Sequence, residues 1–197
     1  MPKPRLLILP LLLAIGAGLS LLAVDAARAL DDPDANWQSG LQAPGMDGSV
    51  LAFCEYRGDL VVGGSFHTIG TQVIEHVARW DGTAWHALGS GMNGTVRQLA
   101  VQGPALVAAG DFTEAGGRPA SLIASWDGTV WHPLGDGVDR EPAALAVYRD
   151  TLFVGGWFRR AGNLTVKGIA RWSGEAWHDG IAMTGRWPDL AVTNLAV

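Results

Sequence analysis

The chain has 197 residues, 48% of them apolar, with one cysteine and a formal net charge of −5. A single thiol cannot form an internal disulfide, so stability must come from packing. A mildly acidic chain without a basic run is a poor nucleic-acid binder, because phosphate neutralisation by Lys and Arg supplies most of such affinity.

The N-terminal residues read as a secretory signal peptide over 1–29. Lys3 and Arg5 form a short positive region, residues 6–24 are an uncharged apolar run, and Ala27-Arg28-Ala29 is an A-x-A exit. The rival reading is an uncleaved membrane anchor, which Pro10, Gly16 and Gly18 disfavour as a permanent helix. With no cysteine after the run, lipid modification of the N-terminus is not expected. The remaining residues 30–197 lose three basic and one acidic side chain, giving a net charge near −7. The expected location is secreted, periplasmic or cell-surface, with no membrane association after cleavage.

Beyond the leader the chain repeats with a period of 46 residues. Phe66, Phe112 and Phe158 keep this spacing, as do Trp80, Trp126 and Trp172, and Trp85, Trp131 and Trp177. Gly70, Gly116 and Gly162 obey it, and so do Ala78, Ala124 and Ala170. In the middle copy, residues 96–101, 106–112, 122–126 and 130–134 have strand-like composition. Gly103-Pro104, Gly116-Gly117, Asp127-Gly128 and residues 135–137 separate them as turns. Asp-Gly is the strongest of these cues, because both residues tolerate the positive φ of a tight hairpin. If the loop is only Asp81-Gly82, Trp80 faces Thr83; if it runs over 81–84, Trp80 faces Trp85. Either register puts both rings on one side of the hairpin. Cys54 shares a small-residue column with Ala100 and Ala146, which points to packing rather than reactivity.

Four strands in roughly 40–50 residues match one β-propeller blade. The expectation is therefore an all-β propeller of four-stranded antiparallel blades, over residues 50–95, 96–141 and 142–191. Partial blades stand at both ends: Asn36-Trp37 resembles a closing strand and residues 193–197 an opening one. Closed propellers take about four to eight blades, so the expected ring is incomplete. Either the chain is part of a longer propeller, or self-association closes the ring.

The pattern LVVGGSF…ARWDGTAWHALGSGM, with its copies, resembles the kelch-like repeat propellers of exported bacterial proteins. It is also similar to the repeats of fungal cortical polarity-marker proteins. The resemblance covers about residues 36–197. Gly64, Gly110 and Gly156 hold the second place of the kelch glycine pair, although the middle copy reads Ala109-Gly110. Trp80 stands where kelch more often has tyrosine. The resemblance implies a binding or interaction module without catalysis, its partner a protein or a glycan. The alternative is the propeller of a carbohydrate-active enzyme whose active site is incomplete here.

Four chemistries find no support in the spacing of the residues. His86, His132 and His178 follow the second Trp of each copy, and equivalent places on different blades do not converge on one ion. His67 and His76 have no partners at ligand spacing, so no metal or other cofactor is expected. The Trp-Asp-Gly segment resembles the Asp-box of sialidase-type propellers, which is itself structural. Galactose oxidase shares the kelch-like class, but its copper site uses tyrosines and a Tyr–Cys crosslink. This chain offers only Tyr56 and Tyr148, at equivalent turn positions. The acids Glu114, Asp136, Asp139, Glu141 and Asp189 lie in inter-strand loops, where no spacing argument pairs them for acid–base work. Asn93-Gly94-Thr95 and Asn163-Leu164-Thr165 match the glycosylation sequon.

Ligand-facing residues are then expected in the loops that vary between copies. In propellers, the loops linking one blade to the next share a face with those joining a blade's second and third strands. Met92, Asn93, Asp139, Arg140 and Trp187 belong to the first group. His67, Thr68, Glu114, Arg159 and Arg160 belong to the second.

Overall fold

A computed structural model describes residues 45–180. The predicted leader, Asn36-Trp37, Trp187 and residues 193–197 lie outside the described residues. Three four-stranded antiparallel sheets follow one another along the chain, and there is no helix among the described residues. The first sheet contains β1 (Val50–Tyr56), β2 (Asp59–Gly64), β5 (Val77–Trp80) and β6 (Trp85–Ala87), hydrogen-bonded in that order. The second repeats it with β7 (Val96–Gln102), β8 (Ala105–Gly110), β11 (Ile123–Trp126) and β12 (Trp131–Pro133). The third uses β13 (Pro142–Tyr148), β14 (Thr151–Gly156), β17 (Ile169–Trp172) and β18 (Trp177–Asp179). These are propeller-like blades, and they do not close into a ring.

The sequence reads one plain loop between the second and third strands of each blade. The structure places a small ribbon there instead: β3 (Thr68–Ile69) with β4 (Gln72–Val73), β9 (Glu114–Ala115) with β10 (Arg118–Pro119), and β15 (Arg160–Ala161) with β16 (Leu164–Thr165). Gly70, Gly116 and Gly162 turn these ribbons with φ of 62°, 60° and 54°, a region where a side chain is strained.

The glycine pair has a steric cause. At the start of each first strand the pairing slips at a bulge, between Val50 and Ala52 in the first blade and at equivalent places in the others. There the backbones come so close that a Cβ on Gly64 would lie 1.9 Å from the Ser49 carbonyl oxygen. The same Cβ on Gly110 would lie 2.0 Å from Thr95 O, and on Gly156 2.4 Å from Glu141 O. At the preceding position the obstacle is a side chain and not backbone: a Cβ on Gly63 would lie 2.4 Å from Val96 Cγ1, and the second blade accommodates a fully buried Ala109 there.

Two of the three apolar clusters lie between blades, and the third lies within the first blade around Phe66. One cluster joins Val61, Val77 and Leu88 of the first blade to Leu106, Phe112 and Trp131 of the second. The next joins Val107, Ile123 and Leu134 to Leu152, Phe158 and Trp177. Phe66, Phe112 and Phe158 are buried, each contributing roughly 1.5–3 kcal/mol by leaving water. Cys54 is half-buried against the first cluster, and burial pushes its thiol up to about 11. It is a packing residue, as its small-residue column predicts.

The tryptophan register is settled in favour of the four-residue loop: Trp80 pairs directly with Trp85, Trp126 with Trp131, and Trp172 with Trp177. Ring centroids are 5.2–5.4 Å apart in tilted or edge-on arrangements. The second ring of each later pair also stitches blades. Trp131 Nε1–H donates to Leu88 O, and Trp177 Nε1–H to Leu134 O, both at 2.8 Å. At the opposite turns, Tyr56 donates its hydroxyl to Pro104 O, and Gln102 its amide to Asp150 O. Tyr56 and Gln102, at equivalent turn positions, therefore stitch neighbouring blades, whereas Tyr148 at the third such position is exposed.

Candidate functional site

Two loop groups meet at one edge of the blades. Met92 bridges to Ala115 and Val138 to Ala161, so each interblade link lies against the ribbon of the following blade. The link is fixed by a side-chain clamp. Asp47 Oδ1 accepts the N–H groups of His67 and Thr68, Asn93 Oδ1 those of Thr113 and Glu114, and Asp139 Oδ1 those of Arg159 and Arg160. Hydrogen bonds from Thr68 and His67 hold the Asp47 carboxyl below its usual range. For Asp139, burial pulls upward, but the N–H groups of Arg160 and Arg159 outweigh it and the net shift is down.

Several residues placed in the ligand-facing group thus have structural work. Met92 is buried in the interblade core. Asn93 and Asp139 spend their oxygens on the clamp, and Thr68 offers its backbone to the Asp47 clamp. At the clamp position the copies differ only in the kind of oxygen acceptor, Asp47, Asn93 and Asp139. Arg140, Arg159 and Arg160 remain exposed at the third blade's edge, and Glu114 at the second's. Trp187 lies outside the described residues.

The histidines after the second Trp are not idle on an exposed face. His86 Nε2–H donates to Asp81 Oδ2 at 2.6 Å, and His132 Nε2–H to Asp127 Oδ2 at 2.8 Å. In the third blade Ser173 replaces the aspartate, with its hydroxyl 3.1 Å from His178 Nε2. The other oxygen of each aspartate caps its own turn, Asp127 Oδ1 accepting Thr129 and Val130 N–H. The Val130 N–H, the His132 ring and the Thr129 N–H together bring Asp127 down to about 2. Asp81 is lowered for the same reasons, led by the Thr83 hydroxyl. The Trp-Asp-Gly segment is a braced turn.

The first blade's ribbon holds a different arrangement. His67 and His76 flank the hairpin, and two backbone bonds close it: Ile74 N–H donates to His67 O and His76 N–H to Phe66 O, both at 2.9 Å. That closure brings together side chains eight and nine residues apart. His67 Nδ1–H donates to Glu75 Oε2 at 2.7 Å, and the two imidazole centroids lie 4.5 Å apart at 68°. One ligand atom each from His67, Glu75 and His76 falls within 4.8 Å of the others. This overturns the expectation that His67 and His76 have no partners at ligand spacing.

His76 is only 5% exposed and its backbone φ is 65°. The conformation belongs to the column, since Leu122 has φ of 66° and Gly168 of 74°. Burial, partly opposed by a hydrogen bond from Nδ1–H to Gly64 O at 3.1 Å, lowers the His76 pKa and favours the neutral ring. Around the cluster opens a pocket of about 380 Å³, lined also by Ser90, Gly91, Met92, Asn93, Glu114 and Gly117. His67, Met92, Asn93 and Glu114 from the predicted loops are thus gathered at one place. Asp139, Arg140, Arg159 and Arg160 belong to the next junction. The sequence reading sets His76 aside and does not single out Glu75; the signal that joins them to His67 is the Gly70 turn between His67 and Glu75.

No family model matches the chain, and no curated protein matches it.

Proposed function

We propose that this chain is an exported, kelch-like propeller module that binds a protein or glycan partner through its ribbon edge, without catalysis. One observation carries the reading. Three ribbons with the same backbone present three different chemistries at equivalent positions. The first offers His67, Glu75 and His76, the second Thr113, Ser121 and Leu122, and the third Arg159, Lys167 and Gly168. Framework positions such as Phe66, Phe112 and Phe158 do not vary in this way. A scaffold held constant under loops that differ is how repeat propellers present a binding surface. The export assignment rests on the leader-like residues 1–29, and the kelch-like assignment on the repeat pattern.

The test is a loop transplant. The wild-type chain and a variant with both outer ribbons replaced by the second ribbon's sequence are assayed against immobilised glycans and against acidic and basic peptides. Binding of a panel member by the wild type, and its loss in the folded variant, is the expected result. Absence of binding by the wild type, or equal binding by both, would overturn the reading.

A further inference from the structure

We propose that His67, Glu75 and His76 form a binding site for a divalent transition-metal ion of the zinc class. The inference deepens the ribbon-edge reading, on which it rests for its role but not for its chemistry. Two imidazoles and one carboxylate are a donor set that suits zinc, copper or nickel and not calcium or magnesium, which require oxygen cages.

The geometry is close to that of a bound site. Zinc holds nitrogen and oxygen ligands at about 2.0–2.2 Å, which puts tetrahedral ligand atoms about 3.3 Å from one another. The three donor atoms already lie within 4.8 Å, and His67 and Glu75 are the closest pair at 2.7 Å. That pair needs to open by roughly half an ångström as the ion takes the place of the shared proton. Ligation through His67 Nδ1 leaves that ring neutral with its proton on Nε2.

His76 has one ring nitrogen already committed. Its Nδ1–H is held by the Gly64 carbonyl, so Nε2 carries the lone pair. A backbone carbonyl fixing the tautomer of a ligating histidine is the usual outer partner in metal sites. An ion pair alone accounts for His67 and Glu75, but not for a second, buried imidazole set edge-on against the first. Three protein ligands leave a fourth position open toward the pocket. Glu114 from the neighbouring blade lines that pocket and adds negative potential there. Neither other ribbon can reproduce the set, since they carry Thr113, Ser121 and Leu122, or Arg159, Lys167 and Gly168. The site is therefore single among the described residues.

The experiment uses the untagged full chain, stripped with a chelator and titrated with zinc chloride by calorimetry. X-ray absorption at the zinc edge is then recorded on the loaded protein. One ion per chain, bound by two imidazoles and at least one carboxylate oxygen, is expected. His76→Leu and Glu75→Ser take residues the second blade already carries, and each should weaken binding at least about tenfold. A variant with alanine at His86, His132 and His178 should bind as the wild type does. Unchanged affinity in His76→Leu, or loss in the distal triple variant, would overturn the proposal. Should a variant fail to fold, the absorption spectrum decides: fewer than two imidazole ligands sinks the site. Repeating the glycan and peptide panel with chelator separates the two readings. Partner binding that survives metal removal leaves the ribbon-edge reading standing, and metal binding without any partner leaves the ion site standing.

Discussion

The first and second ribbons share their turn glycine, their positive-φ residue and their link to the preceding segment, yet one carries a cluster of ligand-type side chains at positions where the other has Thr113, Ser121 and Leu122. Residues that hold the backbone are repeated: the glycine at 70 and 116, the clamp at 47 and 93, the buried phenylalanine at 66 and 112. Those that differ, His67 against Thr113, Glu75 against Ser121 and His76 against Leu122, are not needed to make the ribbon. The lesson is a division of labour: interblade packing and clamps determine the shape, and chemistry is free to vary on top of it.

The strongest way to break that comparison is to attack the framework. Trp131 is 1% exposed and donates to Leu88 O across the blade boundary. Trp131→Ala should cost about 3–5 kcal/mol, whereas Trp85→Ala, at a half-buried ring, should cost about 1–2 kcal/mol. Thermal unfolding of the two variants reads the difference. Equal losses would mean that interblade stitching is not what distinguishes the later tryptophans.

A smaller effect sharpens the role of the clamp. Asp139→Ala leaves the N–H groups of Arg159 and Arg160 without their acceptor and should cost about 1 kcal/mol, as loss of a helix cap does. Asp139→Asn should stay within about 0.5 kcal/mol, because Asn93 already does this work one repeat earlier. The same carboxylates predict the acid side of the stability curve. Asp47, Asp81, Asp127 and Asp139 are all held below their ordinary values. A folded-state pKa below the unfolded one gives stability that is complete above about pH 4 and lost as pH falls, for Asp127 through about 2. Urea midpoints measured downward from pH 5 should fall in that window, and flat midpoints would count against the clamps.

How much of this was legible follows from the length of the signals. The blade period was plain because tryptophan, phenylalanine and glycine columns recur at long range. The tryptophan register stayed open because composition does not say which N–H groups an aspartate will cap. Here Asp81 Oδ1 takes Thr83 and Ala84, which fixes the four-residue loop. Two-residue strands such as β3 and β4 are too short to show alternation, so in sequence the ribbons look like plain loops. With the ribbon unseen, His67 stood far from Glu75 and His76 in sequence, and only antiparallel closure about Gly70 brings them together. The clamp role of Asn93 and Asp139 is hidden for a related reason: a clamp that tolerates either oxygen acceptor looks like variation.

The smallest expected effect bears most directly on the comparison. His76→Leu places on the first ribbon the residue that the second carries at the same left-handed backbone position, with φ of 65° and 66°. A branched side chain is therefore already accommodated in that conformation. The substitution removes the bond from His76 Nδ1–H to Gly64 O, but Leu122 has no donor to offer at the equivalent place in the second blade and the ribbon there still forms. Loss of a neutral bond at a partly compensated carbonyl, offset by apolar burial, should leave metal-free stability within about 0.5 kcal/mol. For a domain of this size that is roughly 1–2 °C in the midpoint. A fall as large as that of Trp131→Ala would put His76 with the framework, and the two ribbons would then differ in structure and not only in chemistry.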